Sequence, residues 1–272
     1  MTIHTFRALI LQSYETGNTS EAVRTFSGRF GRLAVMARGA RDPKRRLGGV
    51  LQPLCTVELT VTLRDGADMA TLRDAALVDD HATLKHDLER LALAFLLAEI
   101  AAESCDETQA SEEMFAVLEA ALGALDPRAS QPAPTAALHH LLRLLALAGY
   151  EPSIDPALLR PWPRGTPKPV MYWLDAAEGR LHADSPQPVA PPPWPLPFHH
   201  EARQVPVPPQ ALRALHDNQH TETENITALP ALESAHANQF IAALVRLARW
   251  HLGHSVRSVR FWRDIVGMED AK

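Results

Sequence analysis

The spacing of apolar residues changes from a period of two to a helical period near residue 84, and this change divides the chain. Val57, Leu59, Val61 and Leu63 alternate with polar residues, which is typical of a strand with one buried face. After residue 84, apolar residues recur every three or four positions, as on an amphipathic helix. We therefore expect an α+β chain with a β domain over residues 1–80 and an α-helical domain over residues 81–272.

The first domain has the pattern of a small barrel. Strands are predicted at residues 6–11, 21–26, 33–37, 55–63 and 70–76, with polar turns between them. Several short strands in about 75 residues suit a closed barrel of OB type. An SH3-like barrel is the alternative, because periodicity alone does not separate the two.

A basic stretch follows the third predicted strand. Here a β-hairpin connection is expected to carry five cations against the single acid Asp42. Fixed like charges repel one another unless a polyanion neutralises them, so the pattern indicates a phosphate-backbone partner. A solvated loop that aids solubility is the alternative. The candidate nucleic-acid-binding residues of this region are Arg29, Arg32, Arg38, Arg41, Lys44, Arg45 and Arg46.

Charge is unevenly distributed, although the whole chain has a formal net charge of −5. Residues 1–64 carry a net charge of +6, and residues 240–263 carry +5 with no acid among them. The C-terminal cations are a candidate second polyanion or partner site, with solvated helix faces as the alternative. The last three, at i, i+3 and i+6, are expected along one side of the final helix. The set comprises Arg246, Arg249, Arg257, Arg260 and Arg263.

The helical domain is predicted from three apolar repeats and a final section. The repeats begin near Leu84, Ser111 and Thr135, and the final section begins near Pro230. Ser111 is placed to cap the second helix, and Gly149 to end the third in a left-handed conformation.

Between these helices the composition changes sharply. Sixteen of the 22 prolines lie in residues 152–209, where helix is excluded over much of the segment. A short hairpin is predicted from residues 170–174 and 180–181. The proline run itself is either a ligand for a proline-binding domain or a rigid packed loop.

The residues give little support for an enzyme, a metal site or a nucleotide-binding loop. Two cysteines, Cys55 and Cys105, fit a reducing compartment, and no segment resembles a signal peptide or a membrane span. The histidine pairs lack a carboxylate at a ligand spacing, and Gly48-Gly49 lacks the Lys-Ser/Thr of a phosphate loop. We expect a cytoplasmic, nucleoid-associated protein that is not an enzyme and has no catalytic residues, metal or cofactor.

Several short motifs resemble, in order and spacing, the RecO family of recombination mediators. They include Gly31-Arg32, the loop over residues 37–41, Leu51-Gln52-Pro53, the Ala-Gly-Tyr-Glu-Pro run over residues 148–152, and His251-Leu252-Gly253. The likeness covers nearly the full length and is weakest over residues 153–230. It implies an N-terminal OB-fold followed by an α-helical domain. One departure is plain: the Cys-x-x-Cys pairs that bind zinc in many members are absent after residues 151–155, so the zinc is expected to be lost.

The resemblance implies a role in DNA repair and recombination. Family members bind single- and double-stranded DNA, anneal complementary strands, and work with RecR to load RecA onto gaps coated by single-stranded DNA-binding protein. The acidic C-terminal tail of that coating protein is a candidate partner of the C-terminal arginines. Tyr14, Phe26 and Phe30 are candidate stacking rings, although packing in the barrel core is favoured for Phe26. The alternative function is a non-enzymatic scaffold whose barrel binds another protein.

Overall fold

The architecture is taken from a computed structural model of the chain. The structure describes residues 1–42, 47, 49–64, 69–105, 111–155, 158, 172–183, 203–221, 229–254 and 256–268. The chain forms two compact units. The first comprises Met1–His86 with Ala101–Glu119, and the second comprises Asp87–Ile100 with Ala120–Lys272. The predicted domain boundary after residue 80 stays a prediction.

The first unit contains a closed five-stranded barrel. Its strands are β1 (Thr2–Thr16), β2 (Ser20–Ser27), β3 (Gly31–Ala37), β4 (Thr56–Leu63) and β5 (Met69–Asp79). The strand order around the barrel is β1-β2-β3-β5-β4, with β3 and β5 parallel and the other pairs antiparallel. This order confirms the predicted OB type, followed by helices, and removes the SH3-like alternative.

The connection between β3 and β4 is not a hairpin, contrary to the sequence prediction. β5 lies between these two strands and pairs with both of them. Arg38 and Arg41 therefore begin a connection between strands that are not neighbours in the barrel. Periodicity predicted the strands correctly but carried no information on which strands pair.

The barrel core follows the alternation of the strands. Ala8 and Ile10 of β1, Val35 of β3, and Val57 and Val61 of β4 are buried in one apolar cluster. Successive side chains on a strand point to opposite faces, so the alternate residues, such as Glu58 and Thr60 of β4, face outward.

The outer barrel surface at the β2–β3 turn is covered by residues of the 101–119 segment. Phe26 of β2 is fully buried, and its ring centroid lies 6.0 Å from that of Phe115. Gly28, in the turn, lies directly against Glu112.

This close approach predicts a stability effect. A Cβ added at Gly28 would lie 2.9 Å from the Cα of Glu112, and backbone cannot move away cheaply. We expect Gly28→Ala to lower the free energy of unfolding by about 1–3 kcal/mol through overpacking. Gly123→Ala is the matched control. It lies in a helix with open space around the added methyl, and should raise stability by up to about 1 kcal/mol. Urea unfolding measures both, and an unchanged midpoint for Gly28→Ala would contradict the contact.

The helices are α1 (Leu88–Glu103), α2 (Glu112–Ala124), α3 (Ala133–Leu147), α4 (Gln210–Gln219), α5 (Ser234–Leu252) and α6 (Ser258–Val266). A 3₁₀ turn at Leu84–His86 precedes α1. The hydroxyl of Ser111 accepts the N–H of Met114 at 3.2 Å, which confirms the predicted cap. Gly149 has φ of 80° after α3, also as predicted. Helix α4 was not predicted.

The core of the second unit centres on α3 and α5. Leu138, Leu141 and Leu145 of α3 are fully buried, as are Phe240 and Leu244 of α5. The nearly complete apolar surface of α3 predicted this central position. Among the described residues, no helix is long and apolar enough to cross a membrane.

A four-stranded sheet also belongs to this unit. Its strands are β6 (Ser153–Ile154), β7 (Tyr172–Asp175), β8 (Arg180–His182) and β9 (Gln204–Val207), in the order β6-β8-β7-β9. The antiparallel pair β7–β8 confirms the predicted hairpin, whereas β6 and β9 were not predicted as strands. Most of the proline run lies outside the described residues, so its role stays a prediction.

Candidate nucleic-acid interface

The barrel presents its predicted cations at two opposite ends. We call the end that carries the β1–β2 turn and the start of the β3–β4 loop (residues 14–20 and 38–42) the loop end. The end that carries the β2–β3 turn (residues 28–30) is the hairpin end. Arg38 and Arg41 lie at the loop end, and Arg29 and Arg32 at the hairpin end. Lys44, Arg45 and Arg46 lie outside the described residues.

Arg41 fixes the β3–β4 loop to the β1–β2 turn. Its guanidinium lies 2.7 Å from Glu15 Oε2 and donates to the carbonyl of Gly17 at 2.6 Å. Its backbone N–H donates to the carbonyl of Thr19 at 3.0 Å. With these bonds made, Arg41 holds the two loops together, and Glu15 offsets its charge.

Among the described residues of the loop end, Arg38 is the exposed cation and Tyr14 the exposed ring, beside the exposed carboxylate of Glu15. The side chain of Arg38 is exposed, immediately after β3 ends. Tyr14 of β1 is 46% exposed, and its hydroxyl donates to Gln12 Oε1. An accessible ring beside a cationic loop is the combination that single-stranded nucleic acids use for stacking and charge neutralisation.

The hairpin end has a less accessible ring than the loop end. β3 has seven residues, which places the hairpin end roughly 20 Å from the loop end. Arg29 is exposed, and its guanidinium carbon lies 5.3 Å from the centre of the Phe30 ring. That ring packs on Phe6 at a centroid distance of 4.7 Å, while Phe26 is fully buried. Phe26 is buried, but against Phe115 on the outer side of the barrel and not in the barrel core as predicted. Tyr14 has the most accessible ring of the three candidates.

Carboxylates of the 101–119 segment neutralise three outward-facing arginines of the barrel. Arg32 donates to Glu103, and Arg24 lies 3.7 Å from the same carboxylate. Arg7 of β1 lies 2.7 Å from Glu119. Burial raises the pKa of Glu119, against the opposing attraction of Arg7. OB-folds bind oligonucleotides on the face formed by strands 2 and 3 and on the adjoining loops. Here the arginines on the half of that face nearer the hairpin end already pair with Glu103.

Sequence reasoning missed these acids. Glu15 lies near the end of β1, five positions before β2 begins, but nothing in the sequence pattern links it to Arg41. Glu103 is 71 residues from Arg32, and only the tertiary fold brings them together. Arg32 and Arg41 therefore have less positive charge available for a nucleic acid than the sequence predicted, because each already has an acidic partner.

The C-terminal arginines do not share one exposed face. Arg246 is 7% exposed and Arg263 is 5% exposed, whereas Arg257 and Arg260 are exposed and Arg249 is intermediate. The predicted row along one side of the last helix is corrected, because Arg263 turns into the packed side of α6. Arg257 and Arg260 are the members with substantial accessible surface.

The residues present do not fit a zinc–cysteine module. Cys55 and Cys105 are buried in the first unit, and the sheet belongs to the second. In that sheet Asp175 accepts from Arg203 and Gln204, and His182 pairs with Gln204 at 2.8 Å. Over the described ranges, no group of three His, Cys, Asp or Glu side chains is placed to hold a metal.

Asp175 is the centre of the β7–β8 turn. Its Oδ1 accepts the backbone N–H groups of Ala177 and Glu178, at 2.9 and 3.0 Å. Burial alone would raise the pKa of Asp175, but these donors and Arg203 outweigh it and hold the pKa below its ordinary value. A carboxylate network thus organises the sheet.

Fold and surface together define a class: an OB-barrel protein with an accessible ring and cation at its loop end, joined in sequence to a helical unit. Two family models match the chain. "Recombination protein O N terminal" matches residues 1–81, and "Recombination protein O C terminal" matches residues 85–156. The chain belongs to the RecO family.

Curated relatives agree with this assignment. A protein of Anaeromyxobacter dehalogenans (strain 2CP-C) called DNA repair protein RecO is 34% identical over 171 residues, covering 63% of this chain and 65% of the relative. Proteins of the same name from Syntrophotalea carbinolica and Myxococcus xanthus are 33% and 31% identical, over 54% of this chain and 56% and 59% of the relatives. The chain thus matches somewhat less than two thirds of the length of these relatives.

Proposed function

We propose that this chain is a non-enzymatic recombination mediator in DNA repair. It binds single- and double-stranded DNA, anneals complementary strands, and helps RecR load RecA onto gaps coated by single-stranded DNA-binding protein. Family membership and the name DNA repair protein RecO carried by the relatives support this proposal. The supporting surface is the loop end of the OB barrel.

The observation that carries the proposal is the exposed pair Arg38 and Tyr14 beside the basic β3–β4 loop. The bonds of Arg41 to Glu15 and Gly17 set the start of the β3–β4 loop against the β1–β2 turn, so Arg38 and Tyr14 lie at the same end of the barrel. Guanidinium and ammonium groups contact phosphates without reading bases. Such a surface binds any strand sequence, as annealing requires.

Annealing follows from charge neutralisation. Two complementary strands repel one another through their phosphates, and this repulsion slows pairing. Cations that hold the backbone leave base edges unoccupied, so a second strand can pair with the bound one. No covalent step is needed, and the mediator acts by lowering repulsion.

A salt series on a labelled oligonucleotide tests the proposal. If about five phosphates of single-stranded DNA are neutralised, raising salt from 50 to 200 mM should weaken binding roughly 100-fold. Fluorescence anisotropy with single-stranded and duplex DNA measures the slope for each form. Binding that is absent at 50 mM, or that does not respond to salt, would overturn the proposal.

The second candidate is a protein-binding barrel. Leu77 and Val78, near the end of β5, are 45% and 47% exposed, which is unusual for two adjacent apolar residues of a strand. A flat salt response combined with unchanged folding would favour this scaffold function.

We also propose that folding does not depend on zinc. The β6–β9 sheet has the Asp175–Arg203–Gln204 network among its described residues. We expect a strong chelator to change the midpoint of thermal unfolding by no more than about 1 °C relative to untreated protein, because no metal-binding energy contributes to folding. A matched melt with added zinc is the control. A large fall in the midpoint on chelation, reversed by zinc, would contradict the proposal.

A further inference from the structure

We propose that Trp250 of α5 is a base-stacking platform, in a second single-stranded nucleic-acid site on the helical unit. The inference rests on the proposed function, since it assumes that the chain binds DNA. It goes beyond the loop end of the barrel and names a ring that the arginine pattern did not single out.

The indole of Trp250 is both accessible and held in place. It is 43% exposed, a high value for the largest apolar side chain. The guanidinium carbon of Arg246, one turn earlier on α5, lies 5.3 Å from the ring centre. Arg246 is itself only 7% exposed, so the cation is fixed by the surrounding packing. A cation over one face orients the ring and leaves accessible ring surface for a base.

A second ring pair lies next to it. His251, the following residue, stacks on Tyr150 with centroids 4.8 Å apart and planes at 13°. His251 is exposed, and Tyr150 follows the glycine that ends α3. Consecutive residues of a helix point roughly 100° apart, so this pair is a separate aromatic surface beside Trp250 at the end of α5.

Charge around the rings favours a polyanion. Residues 240–263 contain no acid, and Arg257 and Arg260 are exposed on the next helix. Two exposed acids flank this section: Asp264 on α6 and Glu151 next to Tyr150. A third acid, Glu99 of α1, accepts the N–H groups of Arg257 and Ser258 at 2.8 and 2.7 Å. Its charge is thus directed at the start of α6.

The form of the site favours a nucleic acid over an acidic peptide. A peptide anchor fills a concave, desolvated pocket, whereas Trp250 is itself an accessible ring on a helix surface. A base needs only a flat, accessible ring and a nearby cation.

The test compares a thymidine oligonucleotide with the same backbone lacking its bases. It is run on the full chain at 200 mM salt, where phosphate contacts are weakened. We expect the wild type to prefer the oligonucleotide with bases, and Trp250→Ala to weaken that binding by roughly five-fold or more. Trp250→Phe should retain most of the affinity, because an aromatic ring remains.

Leu88→Ala is the matched control, since it truncates an apolar side chain of the same unit that is 58% exposed. It should bind like the wild type, and all variants should share its melting midpoint. Wild-type binding with no effect of Trp250→Ala would overturn the inference and leave the proposed function intact. Loss of binding to an acidic peptide, with DNA binding unchanged, would also overturn it and identify a peptide site. Absence of wild-type DNA binding at any salt would instead refute the proposed function.

Discussion

Reversing four charges of the β3–β4 loop is expected to weaken single-stranded DNA binding roughly 500-fold at 100 mM salt. Each phosphate contact contributes a factor of about five at that concentration, from a slope of about 0.7 per contact. Four lost contacts multiply to several hundred, and repulsion by the new carboxylates adds to the loss. The salt slope itself should fall by about 3. The variant changes Arg38, Lys44, Arg45 and Arg46 to Glu.

Arg41 is left unchanged in this variant because it bonds to Glu15 and Gly17, and its reversal would disturb the loop itself. A matched control reverses one lysine and three arginines elsewhere: Lys168, Arg128, Arg180 and Arg213. Anisotropy and strand-annealing rates are measured for both variants. An equal loss in the two would show that net charge, and no particular surface, drives binding.

Mild acid is expected to destabilise the protein through a histidine buried in α3. His139 has no accessible surface, and burial lowers its pKa to about 4, against opposing effects of the Pro230 backbone and Asp217. The neighbouring His140 lowers the pKa of His139 further. Burial also lowers the pKa of His140 itself. The neutral imidazole of His139 lies 3.4 Å from Asn218 Nδ2.

The direction of this pH effect follows from the number of protons that the folded and unfolded states bind. Between pH 6.5 and about 4 the unfolded chain binds a proton that the folded His139 does not, so stability falls as pH falls. This contribution is fully present well above pH 6.5, and on the order of 2–3 kcal/mol of it is lost by pH 4.5.

His139→Gln should remove this part of the pH dependence, although the substitution will itself lower stability at neutral pH. Urea unfolding between pH 4.5 and 8 measures the slope for each variant. His86→Gln, at an exposed position before α1, is the control and should retain the wild-type slope. If His139→Gln kept that slope as well, other groups would be responsible for the acid sensitivity.

Local patterns predicted the elements well. The alternation after Val57, the capping Ser111 and the left-handed Gly149 depend on residues close in sequence, and each prediction is confirmed. The pattern failed where distant segments decide the outcome. The pairing of β5 between β3 and β4 replaced the expected hairpin, and α4 was missed because it follows a run of prolines.

The candidate interface was predictable only in part, for the same reason. The clustering of basic residues in the sequence predicted the β3–β4 loop as a candidate nucleic-acid-binding region. It could not reveal that Glu103 meets Arg32 across 71 residues, or that Arg263 faces the packed side of α6. Formal charge is a local property, whereas the charge available to a partner depends on the acids that the fold brings near.

The pairing of Glu103 with both Arg24 and Arg32 limits how far along the barrel a strand gains binding energy. Phosphates that extended from the loop end past the middle of β3 would meet arginines that already have an anionic partner. If the barrel binds DNA as proposed, we expect its footprint to cover only a few nucleotides near the loop end. A longer strand would need additional anchoring points, supplied by further copies of the chain or by another surface of the same molecule.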